Sequence, residues 1–147
     1  MKKQILNAVV TLVVIAALSI AGFAGLDRSV EANIPFDFMV GGKQLTAGKY
    51  TVEMGIAQGA LMVRNWKTKQ AAGSITQDYQ VRAGSEPRLV FHRYGNQYFL
   101  AKVITYSKGI ELPKSKAERE AAKAKRDLLT MKDAEPEIVT VNAQIGQ

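Results

Sequence analysis

The chain has 147 residues, 47% of them hydrophobic and 22% charged, with no cysteine and a formal net charge of +7. A chain of this length and composition buries a single core and makes one domain. It is neither a disordered nor a collagenous sequence, and it can hold no disulfide, thiolate metal site or lipidated N-terminal cysteine.

Lys2 and Lys3 precede a charge-free run from Ile5 to Ala24, which ends among the small residues Gly22 and Ala24 and is followed by Asp27 and Arg28. A basic start, an apolar middle and a small-residue exit describe a secretory signal peptide. The run is just long enough to span a bilayer, but Asn7, Thr11 and Ser19 weaken it as a permanent anchor. Residues 1–24 are therefore expected to be cleaved, with Ala32 a second candidate end. If uncleaved, residues 5–24 would be the membrane contact. Export places the domain in the periplasm or outside the cell. Without Lys2 and Lys3 the chain keeps 18 basic against 13 acidic residues, or +5. Outside the cytoplasm that excess serves solubility first. The partners it would suit are an anionic envelope polymer or another protein, rather than nucleic acid.

From Asn33 the hydrophobic period is two. Ile34, Phe36, Phe38 and Val40 alternate with Pro35, Asp37 and Met39, predicting one half-buried strand with Pro35 at a sheet edge. Gly41-Gly42 ends it. Ala47-Gly48 leads into a strand carrying Tyr50, Val52 and Met54. Ala60–Trp66 reads as a third, closed by Lys67-Thr68-Lys69. Ala71–Gln77 is a weaker fourth, interrupted by Gly73, and Tyr79–Arg82 either continues it or stands alone. The segment Ala83–Pro87 is rich in turn formers. Gly95-Asn96 predicts a type II′ hairpin that sets Tyr94 opposite Gln97 and Phe91 opposite Leu100. One hairpin face then carries Leu89, Phe91, Leu100 and Ile104, with Arg93 and Tyr98 near the tip. The other carries Val90, His92, Tyr94, Phe99, Ala101 and Val103. Both are apolar, so both need cover.

Ser115-x-x-Glu118 is a capping box, so a helix starts there. Ala117, Ala121, Ala124, Leu128 and Met131 form its apolar stripe. The expected organisation is a β domain over 33–112, a helix over 113–131 and a tail over 132–147, where Ile138, Val139 and Val141 fit a last short strand. The fold class is mainly β: an antiparallel sandwich or barrel of about six to eight strands with one C-terminal helix.

Three blocks share an order: Ile34-Pro35-Phe36-Asp37-Phe38 with Ala47-Gly48-Lys49-Tyr50-Thr51-Val52; Leu89 to Gly95 with Tyr98-Phe99-Leu100; and Glu111 to Ser115 with Ala117-Glu118. Over roughly Ile34 to Glu118 the chain resembles a family of small, exported, uncharacterised bacterial proteins. The resemblance implies a secreted β-rich domain and carries no catalytic residue with it.

No cofactor or metal site is legible. His92 is the single histidine, which removes multi-histidine metal sites and leaves one candidate base. A triad of Ser85, His92 and Asp78 lacks a nucleophile-elbow sequence, so a packed His92 is the stronger reading. Trp66, beside Arg64, Lys67 and Lys69, either folds over the end of the core or stands exposed to stack on a sugar ring or meet a membrane interface. His92, Arg93, Tyr94 and Tyr98 are the other candidate ligand-binding side chains. The expected function is an exported, non-catalytic envelope or extracellular binding or structural module. The alternative is a small hydrolase of an envelope polymer. An open aromatic patch at Trp66 would favour the first, and a pocket joining His92 to a carboxylate the second.

Overall fold

Pro35 is where the first expected strand breaks. The computed structural model describes residues 29–129 and 135–146; the segment expected to be a signal peptide and Met131 lie outside them. Strand β1 (Ser29–Ile34) ends at Pro35, and β2 (Phe38–Val40) begins three residues later in the other sheet. Proline has no amide to donate, and Asp37 turns its carboxylate to accept the Ala47 amide at 2.8 Å. The period-two pattern nevertheless holds on both sides of the break: Ile34, Phe38 and Val40 are each 1% exposed.

Gly41 and Gly42, both at positive φ, make the tight turn to β3 (Lys43–Leu45). Then follow β4 (Gly48–Met54), β5 (Ala60–Arg64), β6 (Ala71–Ile75), which runs through Gly73 unbroken, and β7 (Gln77–Tyr79). The long hairpin is β8 (Arg88–Tyr94) and β9 (Gln97–Ile104), after which come β10 (Gly109–Glu111), α1 (Lys116–Leu129), β11 (Glu137–Asn142) and β12 (Gln144–Ile145). Sheet I has the order β12-β1-β4-β5-β6. Sheet II has the order β11-β8-β9-β10-β7, with β2 joined to β9 and β3 joined to β2. The class is the expected mainly β sandwich with one C-terminal helix. Twelve strands appear among the described residues because several are only two or three residues long, too short to leave a periodic signature. One pairing, Met39 with Phe99, is parallel. Tyr79–Arg82 is not a strand of its own; only Tyr79 is paired, within β7.

The core lies between the sheets. Sheet I contributes Val30, Tyr50, Val52, Leu61 and Val63; sheet II contributes Phe38, Leu45, Leu89, Phe91 and Val103. The Gly95-Asn96 turn has Gly95 at φ +61 and Asn96 on the negative side, and it sets the expected register as far as Phe91–Leu100. There a bulge intervenes. Val90 opposes Lys102, Leu89 opposes Val103 and Arg88 opposes Ile104, so Ala101 is the extra residue. One inserted residue exchanges the faces beyond it. Val103 therefore joins Leu89 and Phe91 in the core, and Ile104 leaves that face, the reverse of the sequence expectation.

Helix α1 covers the outer face of the hairpin through Ala121, which packs with Tyr94 and Phe99, flanked by Ala117, Ala122 and Met39. Ser115 Oγ accepts the Glu118 amide at 3.2 Å, half of the capping box. The other half is absent: Glu118 turns its carboxylate to the sheet. The docked face is thus rotated from the expected stripe. Ala124 is exposed, and Leu128 is 85% exposed.

Ala121→Asp should cost about 2–4 kcal/mol, by placing a charge against Tyr94 and Phe99. Leu128→Asp should stay within about 0.5 kcal/mol. Urea denaturation of both variants checks the pair, and equal effects would contradict this docking.

Candidate functional site

Side chains of β5 alternate, so Leu61 and Val63 point into the core while Met62 and Arg64 face outward; continuing the alternation turns Asn65 inward and Trp66 outward. Asn65, 5% exposed, builds the turn that follows. Its Oδ1 accepts the amides of Lys67 and Thr68, both at 3.0 Å, and its own amide donates to the Gln70 carbonyl at 2.8 Å. Lys69 takes the left-handed conformation, φ +61, and is the one non-glycine residue among those described to do so. Gln70 fastens the far end: its Oε1 accepts the Thr46 amide at 3.2 Å and the Thr46 hydroxyl at 2.9 Å. The Tyr50 hydroxyl lies 3.0 Å from the same oxygen and 2.8 Å from the Thr46 carbonyl, with one hydrogen to share between them.

This frame holds Trp66 out of the core, 57% exposed, with the Arg64 guanidinium 5.6 Å from the ring centroid. Beside the ring is a cleft of about 570 Å³, lined among others by Glu31, Gly48, Lys49, Thr51, Lys67 and Thr68. Lys49 Nζ pairs with Glu31 at 2.7 Å, and Arg64 Nε lies 3.5 Å from Glu53. A side chain on Gly48 would intrude here: its Cβ would sit 2.9 Å from Asn65 Nδ2. Lys67 and Lys69 have no carboxylate partner among the described residues.

The other sequence candidates lie on sheet II and do not join this group. Tyr98 stacks on Phe36 at 3.9 Å against the core, with the Arg93 guanidinium 5.3 Å from its ring; Arg93 also meets Glu137 at 3.4 Å. His92 and Tyr94 lie on the opposite outer face, beneath α1. Glu118 Oε1 accepts from His92 Nδ1 at 2.7 Å, and the Tyr94 hydroxyl reaches the same oxygen at 3.5 Å. Because a carboxylate only accepts, the imidazole hydrogen is assigned to Nδ1. His92 does meet a carboxylate, as a hydrolase would require, but the pair is a packed contact. The His92 side chain is 14% exposed and that of Glu118 4%. The triad is not assembled either: Ser85 Oγ donates to the Arg82 carbonyl, and Asp78 meets Lys108 at 3.3 Å.

Composition singled out Trp66, Arg64, Lys67 and Lys69; of these, Trp66 and Lys67 line the cleft, Arg64 lies against the indole, and Lys69 is on the same turn outside the lining. Sequence reasoning missed Glu31, Lys49 and Thr51, which need the β1–β4 register to come together, with Glu31 opposite Thr51. It also missed Asn65, whose place between a strand end and a polar tripeptide is a turn signal in its own right. Among the described residues no cluster of acidic and histidine side chains could hold a metal ion, and no helix is long and apolar enough to cross a membrane. No family model, curated protein or solved structure matches the chain.

Burial, the Glu118 charge and the Glu118 hydrogen bond together push the Tyr94 phenol up from 10.0 to about 12. The folded form thus holds this proton more tightly than the unfolded chain. Its contribution to stability is complete below pH 10.0 and is lost as pH rises toward about 12. Glu118, His92 and the Lys125 ammonium, 6.0 Å from the Tyr94 ring, are the charged or titratable neighbours. Wild-type protein should therefore lose urea resistance more steeply across that interval than Tyr94→Phe does. Parallel pH profiles would contradict the assignment.

Proposed function

We propose that the protein is an exported, non-catalytic binding module of the bacterial envelope or extracellular space, and that its binding site is the cleft beside Trp66. The observation that carries this is the presentation of the indole. A frame of buried Asn65 and Tyr50 with half-buried Gln70 fixes a turn whose tip leaves a tryptophan in solvent, although burying a large apolar side chain would stabilise the fold by about 1.5–3 kcal/mol. An ordered aromatic group beside a polar cleft is how a protein offers contact area at low entropic cost. The resemblance to secreted β-rich proteins and the N-terminal run both agree with export.

In an envelope co-sedimentation assay with the host's insoluble envelope fraction, Trp66→Ala should lower the retained fraction about tenfold or more, while His92→Gln retains it. Equal retention of Trp66→Ala and wild-type protein would overturn the site.

The fold also bears on the position of cleavage. Val30 is 0% and Ala32 4% exposed, both in the core, and Glu31 lines the cleft. Cleavage after Ala32 would delete most of β1, whereas cleavage after Ala24 leaves it whole. Mass spectrometry of protein recovered from its native host should find an N-terminus at Gly25. A start at Asn33, or a retained Met1, would contradict this.

A further inference from the structure

Two features of the cleft restrict its ligand. The first is the pairing of charges. Lys49 is neutralised by Glu31 and Arg64 lies against Glu53, but Lys67 and Lys69, on the same turn as Trp66, have no carboxylate partner among the described residues. The strained φ of Lys69 and the Asn65 hydrogen bonds hold the backbone that carries both ammonium groups. The second is shape. The cleft is a trough beside the ring, lined by Thr51, Thr68 and the Glu31–Lys49 pair, and by Gly48, whose missing side chain makes room for Asn65.

Each feature selects a chemical group. The open face of an indole carries partial negative charge and suits the polarised C–H face of a pyranose ring. Hydroxyls, a carboxylate and an ammonium within one trough supply both donors and acceptors to sugar hydroxyls. An anionic substituent on that sugar would make charge-assisted contacts with Lys67 at the rim and feel the field of Lys69 beside it. A lipid surface fits less well, because the trough is concave and places Glu31 where anionic headgroups would lie. A neutral saccharide would make no use of the Lys67 charge on the cleft lining.

We propose that the Trp66 cleft binds an acidic saccharide: a uronic-acid unit of an anionic polysaccharide, stacked on the indole with its carboxylate toward Lys67 and Lys69. This rests on the reading of the protein as a binding module with its site at Trp66, and it names the ligand of that site.

Trp66 is the single tryptophan of the chain, so emission excited at the red edge of the band, where the five tyrosines do not absorb, reports on the cleft. The purified protein is titrated with short oligouronates of galacturonate, glucuronate and mannuronate type, with a neutral oligoglucan of equal length, and with phosphatidylglycerol vesicles. At least one oligouronate should change the emission saturably, with affinity that weakens as salt rises. The neutral oligoglucan should bind about tenfold or more weakly, as should the oligouronate to a Lys67→Gln, Lys69→Gln double variant, since one charge-assisted contact of about 1.4 kcal/mol is a factor of ten. Equal response to the neutral glucan, or no effect of the double substitution, overturns the requirement for an acid. Response to vesicles alone overturns the saccharide in favour of a membrane surface. Silence toward all three probes, with Trp66→Ala still losing envelope retention, overturns the ligand class and leaves the binding module standing. Silence together with full retention of Trp66→Ala overturns both.

Discussion

The Tyr50 side chain joins the two halves of this protein's physics. Its ring is fully buried and meets Phe38 edge-on at 5.1 Å, so it belongs to the inter-sheet core. Its hydroxyl leaves that core to meet Gln70 and Thr46. A buried phenol must find a partner, and the partner found here is the frame that carries Trp66. The position of the exposed indole is therefore set by how the sheets pack. Phe38 in turn is placed by the break at Pro35, which moves the chain from one sheet to the other. Core, crossover and cleft form one chain of dependence.

The opposite face of the sandwich is built on a different balance. Helix α1 offers mostly alanine to the hairpin, and alanine buries little apolar area. Among the described residues its strong directional contact with the sheet is Glu118 with His92 and, at longer range, Tyr94. The side chain that would have completed the capping box instead ties the helix to the sheet. The first turn is thus capped by Ser115 alone, and the docking is polar as well as apolar.

Local chemistry was legible in the sequence; long-range register was not. The Gly95-Asn96 turn fixes the pairing of its neighbours by sterics alone, so His92 opposite Phe99 could be read directly. The bulge at Ala101 has no local signature, because alanine suits a regular strand as well as a bulge, and Val103 and Ile104 are equally apolar. The expected faces therefore exchanged there. In α1 the alanines fit two adjacent stripes, and the deciding residue was Glu118, a charged side chain that pattern reading assigns to solvent. At the cleft, composition marked Trp66 and its cations, but burial of the ring was as consistent with the sequence as exposure. What decides it is the Asn65–Gln70 frame, in which the bonds of Gln70 to Tyr50 and Thr46 reach across 20 and 24 residues.

That frame separates two tasks that many binding loops combine. The turn is closed by the side chains of Asn65 and Gln70 and by backbone amides, while the side chains of residues 66–69 point away from the core and are not used to hold it. Evolution can therefore rewrite this short tip without rewriting the fold, within the one limit that position 69 must accept a left-handed backbone. The turn is a replaceable cassette: its exposed tip can change in charge and shape while the core beneath it stays the same.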